Sequence, residues 1–115
     1  MRAKIGPYPP EAYEFVRLGL AHTAQIVHGE KDPADNRHVS GQQLCLGLKD
    51  FAIKQYGLLA RTVLNRWNIQ RTDDFGRIVF GMIDQGLMRK TDDDTIDDFR
   101  GVYDFGEVFA EPEHV

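Results

Sequence analysis

The sequence has one cysteine among its 115 residues and no apolar run that approaches the length of a membrane span. Because a single cysteine, Cys45, cannot form an internal disulfide, a disulfide-stapled secreted domain is not expected. The first residues also lack the apolar centre of a signal peptide. From these absences we expect a cytoplasmic protein with no membrane contact.

Motifs that would predict a cofactor or a metal are missing as well. The four histidines have no partners at metal-ligand spacing, and no glycine-rich phosphate loop occurs. The aspartate-rich stretch 92–98 lacks the order of ligands that an EF-hand loop requires. We therefore expect no cofactor and no metal, and a solvated loop at 92–98 whose cation binding stays open.

The composition that remains is typical of one globular domain. Hydrophobic residues make up 42% of the chain and charged residues 28%. A chain of this length can bury enough apolar surface to fold without metals or cross-links. We predict a single domain over residues 1–115, with flexible ends at 1–8 and 111–115.

Apolar residues at helical spacing predict four helices, of which two lie in the first half of the chain. The first helix begins at the proline pair 9–10, which suits a first helical turn. The second begins at Ser40, where Gln43 can complete a capping box. Arg37 and His38 come just before, and we expect these four residues to form a structural junction between loop and helix.

Two more helices and a hairpin are predicted in the second half. The third helix lies between Leu58 and Trp67, and the fourth begins at Thr72 and ends with Gly86 in its C-terminal αL position. Two short runs of strand-forming residues flank the acidic stretch, which predicts a β-hairpin over 87–105. The expected fold class is mostly α with a small β-hairpin: a winged-helix-like core with an added N-terminal helix.

Charge is unevenly distributed along the chain. The formal net charge is −4, but residues 37–71 carry +5 and residues 72–106 carry −5. Opposite charge in two segments could pair between copies, so a homodimer is one expectation. Alternatively, the basic segment 37–71 could bind nucleic acid. The residues expected to do so are Lys49, Lys54, Arg61, Arg66 and Arg71.

Conventional DNA recognition is disfavoured even if the fold is a winged helix. The fourth helix would then enter a groove, and its predicted exposed positions include Asp73, Asp74 and Asp84 with Arg77 as the basic residue among them. Carboxylates repel the phosphate backbone, and the stretch 92–98 of the predicted wing carries five more aspartates. Nucleic-acid binding therefore stands as an alternative that uses the basic segment.

An enzyme centred on His38, Ser40 and Cys45 is the weaker alternative. A catalytic thiol needs a lowered pKa and a paired base, and His38 is the histidine nearest to Cys45 in the sequence. A small buried cysteine is the commoner situation. We expect no enzymatic activity.

The chain carries the blocks Tyr8-Pro9 with Glu11-Ala12-Tyr13, Arg37 to Gln42, Asp74-Phe75-Gly76, and Tyr103-Asp104-Phe105. Together these blocks resemble one uncharacterised conserved-hypothetical family found in planctomycetes, verrucomicrobia and related bacteria. The resemblance covers about residues 8–109, and its most specific block is Arg37 to Gln42. It implies a stand-alone bacterial cytosolic domain with no assigned activity.

The function expected first is a protein–protein interaction or scaffolding module of unknown pathway, with an unknown protein as its partner. Aromatic side chains dominate the energetics of many protein interfaces. Tyr8, Tyr13 and Phe105 are the candidate anchors of such a surface.

Overall fold

The computed structural model describes residues 8–28, 39–88 and 95–109. Five α-helices and two 3₁₀ turns occur in these residues, and none of them forms a strand. The elements in chain order are α1 (Pro10–His28), α2 (Gly41–Tyr56), a 3₁₀ turn (Gly57–Leu59), α3 (Ala60–Arg66), α4 (Thr72–Asp84), a second 3₁₀ turn (Ile96–Phe99) and α5 (Phe105–Val108).

The start of α2 is fixed by the capping box that the sequence predicts. The Ser40 hydroxyl accepts a hydrogen bond from the Gln43 amide at 3.1 Å, and the Ser40 amide donates to Gln43 Oε1 at 2.9 Å. Each bond satisfies an amide that would otherwise have no partner at a helix start. This prediction is confirmed, whereas Arg37 and His38 lie outside the described residues.

The ends of α3 and α4 are closed by the same backbone motif. At the end of α3, Asn68 has a φ of 67° and the Ile69 amide donates to the Leu64 carbonyl at 2.9 Å. At the end of α4, the predicted Gly86 takes the αL position with a φ of 77°, and an equivalent bond of 2.8 Å follows it. Both ends are Schellman motifs, so the left-handed conformation of Asn68 is explained by helix capping.

Helices α1 and α2 pack together through small residues. A Cβ added at Gly47 would overlap the Thr23 side chain, and one added at Gly19 would overlap Leu48. Thr23 is fully buried and donates its hydroxyl hydrogen bond to the Gly19 carbonyl at 2.7 Å. The two helices can therefore approach so closely only because both glycines lack a side chain.

The four helices α1, α2, α3 and α4 and the segment after α4 share one hydrophobic core. Burying each large apolar side chain stabilises the fold by about 1.5–3 kcal/mol relative to exposing it. The largest apolar side chains that are fully buried are Val16, Leu48, Leu64, Ile69, Phe75 and Ile78. They come from all four long elements and from the turn before α4, so the described helices stabilise one another around a shared interior.

The predicted β-hairpin and winged-helix core are wrong. The described part of 87–105 contains a turn at its start and a 3₁₀ turn near its end, while residues 89–94 lie outside the described residues. The backbone groups that a second strand would satisfy are bound by α4 instead: the Thr72 hydroxyl donates to the Phe99 carbonyl at 2.6 Å and accepts from the Val102 amide at 3.0 Å. Asp73 accepts from the Gly101 amide at 3.1 Å. Side chains at the start of α4 thus hold this segment without a sheet.

Candidate functional site

The carboxylate of Asp74 is the centre of a hydrogen-bond network at the start of α4. Its Oδ1 accepts from the Tyr8 hydroxyl at 2.5 Å and from Arg77 Nη1 at 2.5 Å. Its Oδ2 accepts from the backbone amides of Gln70 at 2.8 Å and Arg71 at 3.2 Å. Only 7% of Asp74 is exposed, so the four bonds satisfy a carboxylate that is almost removed from water.

This network ties together parts of the chain that are distant in sequence. Tyr8 lies 66 residues before Asp74, and the bond between them fixes the segment in front of α1 against α4. Tyr8 was predicted to lie in a flexible end, yet it is buried. Asp74 was predicted to be exposed on a DNA-facing helix, yet it faces the interior because four donors surround it.

Burial and charge shift the proton affinity of this network. Burial, reinforced by the hydrogen bond to Asp74, raises the pKa of Tyr8 to about 12. The pKa of Arg77 is raised as well, first by its interaction with the Tyr8 hydroxyl and also by the charge of Asp74. At neutral pH the tyrosine is therefore a neutral donor and the arginine a cation.

A cleft of about 510 Å³ opens beside the network. Every residue in its lining carries a polar group, and the lining contains two arginines against one carboxylate. Four of the lining residues are exposed, so the cleft faces solvent. The lining residues are Tyr8, Asn68, Gln70, Arg71, Asp74 and Arg77.

A second feature is a row of exposed apolar side chains on α2 and in the turn that follows it. Leu46 and Ile53 are seven residues apart, so they lie within about 20° of each other around the helix axis. Leu58 and Leu59 follow in the 3₁₀ turn. The exposed fractions of Leu46, Ile53, Leu58 and Leu59 are 51%, 42%, 62% and 55%. These four residues are called the α2 apolar row below.

The three predicted aromatic anchors lie elsewhere. Tyr8 and Phe105 are buried in the core, and Tyr13 is half-buried with its ring centroid 6.3 Å from that of Tyr8. Phe105 packs against Phe75 at a centroid distance of 5.9 Å. Tyr8 and Phe105 are therefore occupied with holding the fold, and the apolar surface left to solvent is aliphatic.

The five residues expected to bind nucleic acid, all of them described by the structure, do not gather on one face. Lys49 and Lys54, five residues apart on α2, point about 140° away from each other around the axis. Lys54 lies 3.9 Å from Asp50, which also contacts His22 at 2.8 Å. Arg61 lies near Gly106 in the C-terminal part of the chain.

The two other basic residues lie elsewhere. Arg66 is exposed in the last turn of α3, and Arg71 lines the cleft. The nucleic-acid alternative predicts a converging basic face, and this arrangement gives it no support.

Of the three residues in the weaker enzyme alternative, the two that the structure describes are arranged to support the fold. Cys45 is fully buried, and burial together with the charge of Asp73 raises the pKa of its thiol to about 12. Such a thiol stays protonated at neutral pH and is a poor nucleophile. The Ser40 hydroxyl is used in the capping box, and His38 lies outside the described residues.

The described residues contain no group of three or more histidine, cysteine, aspartate or glutamate side chains that could hold a metal ion. Part of the acidic stretch 92–98 lies outside them, but Asp97 and Asp98 are described. Asp97 pairs with Arg100 at 2.9 Å, and Asp98 accepts from the Thr95 amide at 3.3 Å. Across the described ranges no helix is long and apolar enough to cross a bilayer.

Comparison with models of protein families, with curated proteins and with solved structures gave no match for this chain. The resemblance to the bacterial conserved-hypothetical family therefore stays a prediction. What the chain does must be argued from the cleft and the α2 apolar row themselves.

The sequence predicted neither the α2 apolar row nor the hydrogen-bond network of Asp74 beside the cleft. Leu46 and Ile53 were not singled out from the sequence, although their spacing of seven residues could have indicated an apolar face on α2. Asp74 was predicted to be an exposed residue of the fourth helix. Nothing in the sequence pairs it with Tyr8.

Proposed function

We propose that this chain is a small, non-enzymatic protein-interaction module and that the α2 apolar row is its contact surface. The observation that carries the proposal is the exposure of four large aliphatic side chains in one short segment, with fractions between 42% and 62%. We place the module in the cytoplasm, because its lone cysteine forms no internal disulfide.

The energetics of the row favour a partner over solvent. Fully burying a leucine or isoleucine side chain gains about 1.5–3 kcal/mol, so half-exposed residues still have about half of that gain available. Leu46 and Ile53 have the spacing of anchors that one helix presents to an apolar groove or to a second helix. A few such residues at the centre of an interface commonly provide most of its binding energy.

The charges beside the row indicate the chemistry of the partner. Lys49 lies between Leu46 and Ile53 on the same side of α2, three residues after the first and four before the second. The carboxylate of Asp50, on the other flank, is already paired with His22 and Lys54. The partner surface should therefore be apolar at its centre and acidic where it meets Lys49.

Affinity capture with matched variants tests this proposal. The variant Leu46→Lys/Ile53→Lys places charge within the row, and Leu87→Lys places it on a leucine after α4 that is 68% exposed. Protein captured by the wild type should be lost with the double variant and retained with Leu87→Lys, while circular dichroism shows all three folded. Retention by the double variant would contradict the proposal.

The same variants decide whether the partner is a second copy. If it is, sedimentation of the purified wild type should show a dimer that both the double variant and added salt weaken, the latter through the flanking charges. A monomer at every protein concentration would remove the homodimer expectation and leave a different protein as the partner.

A further inference from the structure

The cleft beside Asp74 has no role in the proposed interaction surface, and its chemistry is different. It is lined by polar side chains, whereas the α2 apolar row is aliphatic. Its volume of about 510 Å³ lies within the range of small-molecule sites. What such a cleft can bind depends on which of its polar groups still have bonds to offer.

The carboxylate of Asp74 has no hydrogen-bond acceptor position left for a ligand. A carboxylate has about four lone-pair positions, and the hydroxyl of Tyr8, two backbone amides and Arg77 already use four. Its negative charge is also matched by the Arg77 guanidinium. A cationic ligand would find no free acceptor at this carboxylate.

Arg71 is the charged residue of the cleft lining that can still bind a ligand. Its backbone amide belongs to the network, but its guanidinium makes no hydrogen bond or ion pair with any residue that the structure describes. The side chain is exposed and lines the cleft. With Arg77 balanced by Asp74, the lining has an excess positive charge at Arg71, which carries five N–H donors in a planar fork that fits an oxyanion.

The remaining lining suits an uncharged, hydrogen-bonding part of the same ligand. The side-chain amides of Asn68 and Gln70 each offer donors and an acceptor, as sugar or alcohol hydroxyls require. The Schellman motif at the end of α3 explains the backbone of Asn68 but does not involve its side chain. The volume exceeds what a single inorganic oxyanion would fill.

We propose that this cleft binds a small polar organic anion, with its phosphate or carboxylate group on Arg71 and its hydroxyl-bearing part between Asn68 and Gln70. Arg77 lines the same cleft, and its charge is paired with Asp74. Phosphate esters and hydroxy acids share this chemistry. The site does not depend on the interaction surface on α2.

Titrations followed by ¹⁵N NMR test the site. The probes are ribose phosphate, malate and uncharged ribose, each carried into the millimolar range. We expect saturable shifts of the Asn68, Gln70 and Arg71 amides with one or both anions and none with ribose. Response to ribose phosphate alone would specify a phosphate ester, and response to malate alone a hydroxy acid.

Two variants of equal charge make the result specific. Arg71→Gln should weaken binding about tenfold or more, since it removes a charge-assisted contact. Arg17→Gln removes the same charge from the exposed side of α1, where Arg17 pairs with Glu14, and should leave the affinity unchanged. Absence of saturable shifts with both anions, or equal affinity in wild type and Arg71→Gln, would overturn the proposal.

Discussion

The start of α4 and the outer side of α2 use their side chains in opposite ways. At the start of α4, Asp74 and Thr72 are buried, and each bonds to groups from other parts of the chain. On the outer side of α2, Leu46 and Ile53 are large, apolar and about half exposed. At the start of α4 the polar side chains form hydrogen bonds inside the protein, whereas on the outer side of α2 apolar side chains remain exposed to solvent.

This difference separates stability from recognition. A buried polar group that loses its partner destabilises the fold strongly, whereas a change at an exposed side chain is usually within about 0.5 kcal/mol. Substitutions at the start of α4 should therefore lower the stability, and substitutions on the α2 apolar row should lower partner binding. Four variants test that division, beginning with the one expected to have the largest effect.

Asp74→Ala should lower the free energy of unfolding by about 2–4 kcal/mol. It leaves the Tyr8 hydroxyl and two amides without their acceptor and removes the ion-pair partner of Arg77. Urea unfolding measures the change, and Asp84→Ala at the exposed end of the same helix is the control. A similar, small change in both variants would show that the network is not what stabilises this region.

Thr72→Val should cost about 1–3 kcal/mol, because it keeps the shape of the side chain but removes both bonds of a buried hydroxyl. Those bonds hold the segment that follows α4, so the Val102 amide, which donates to the Thr72 hydroxyl, should also exchange faster with solvent. The matched control is Thr62→Val on an exposed position of α3. Unchanged stability would contradict the explanation given for the absence of a hairpin.

Tyr8→Phe should cost about 1–2 kcal/mol at neutral pH, since it removes a hydrogen bond to a carboxylate. The pKa of Tyr8 is about 12 in the folded protein against 10.0 for an unperturbed tyrosine. The protonated hydroxyl therefore contributes stability that is complete below pH 10 and is lost as the pH rises towards about 12.

Unfolding measured across that alkaline range should show a weaker pH dependence in Tyr8→Phe than in the wild type. Tyr56→Phe is the control, because the Tyr56 hydroxyl has no hydrogen bond to any described residue and its ring remains beside Trp67. Equal alkaline slopes in the wild type and Tyr8→Phe would show that Tyr8 does not carry this dependence.

Leu46→Lys/Ile53→Lys should change the free energy of unfolding least, by no more than about 0.5 kcal/mol for each substitution. Both positions already contact water in the free chain. A loss of several kcal/mol in urea unfolding would mean that the α2 apolar row belongs to the core, and the contrast with α4 would fail.

Local signals predicted the helices, and long-range contacts decided the rest. The Ser40 capping box and the αL position of Gly86 involve residues within a few positions of each other, so the sequence displays them. The run that leads to Phe105 was predicted to be a strand, paired with the other short run across the acidic stretch. Its backbone is instead bound by Thr72, 27 and 30 residues away, which no local pattern shows.

The candidate sites likewise depend on contacts between residues that are distant in sequence. Tyr8 was predicted to be a partner-binding anchor, yet it is buried. Its partner Asp74 is 66 residues away, so its burial could not be inferred from the sequence. Arg71 was named among basic residues expected to act together. The structure places it in a cleft with Arg77, which came from a different predicted element.

Site-specific photo-crosslinking tests the central claim, that partners bind to α2 rather than to α4, most directly. A photoreactive residue is placed at Ile53 in one protein and at Gln85, exposed at the end of α4, in another. We predict one discrete crosslinked protein from Ile53 and none from Gln85. The same crosslinked protein from Gln85 alone, or equally from both positions, would contradict the account.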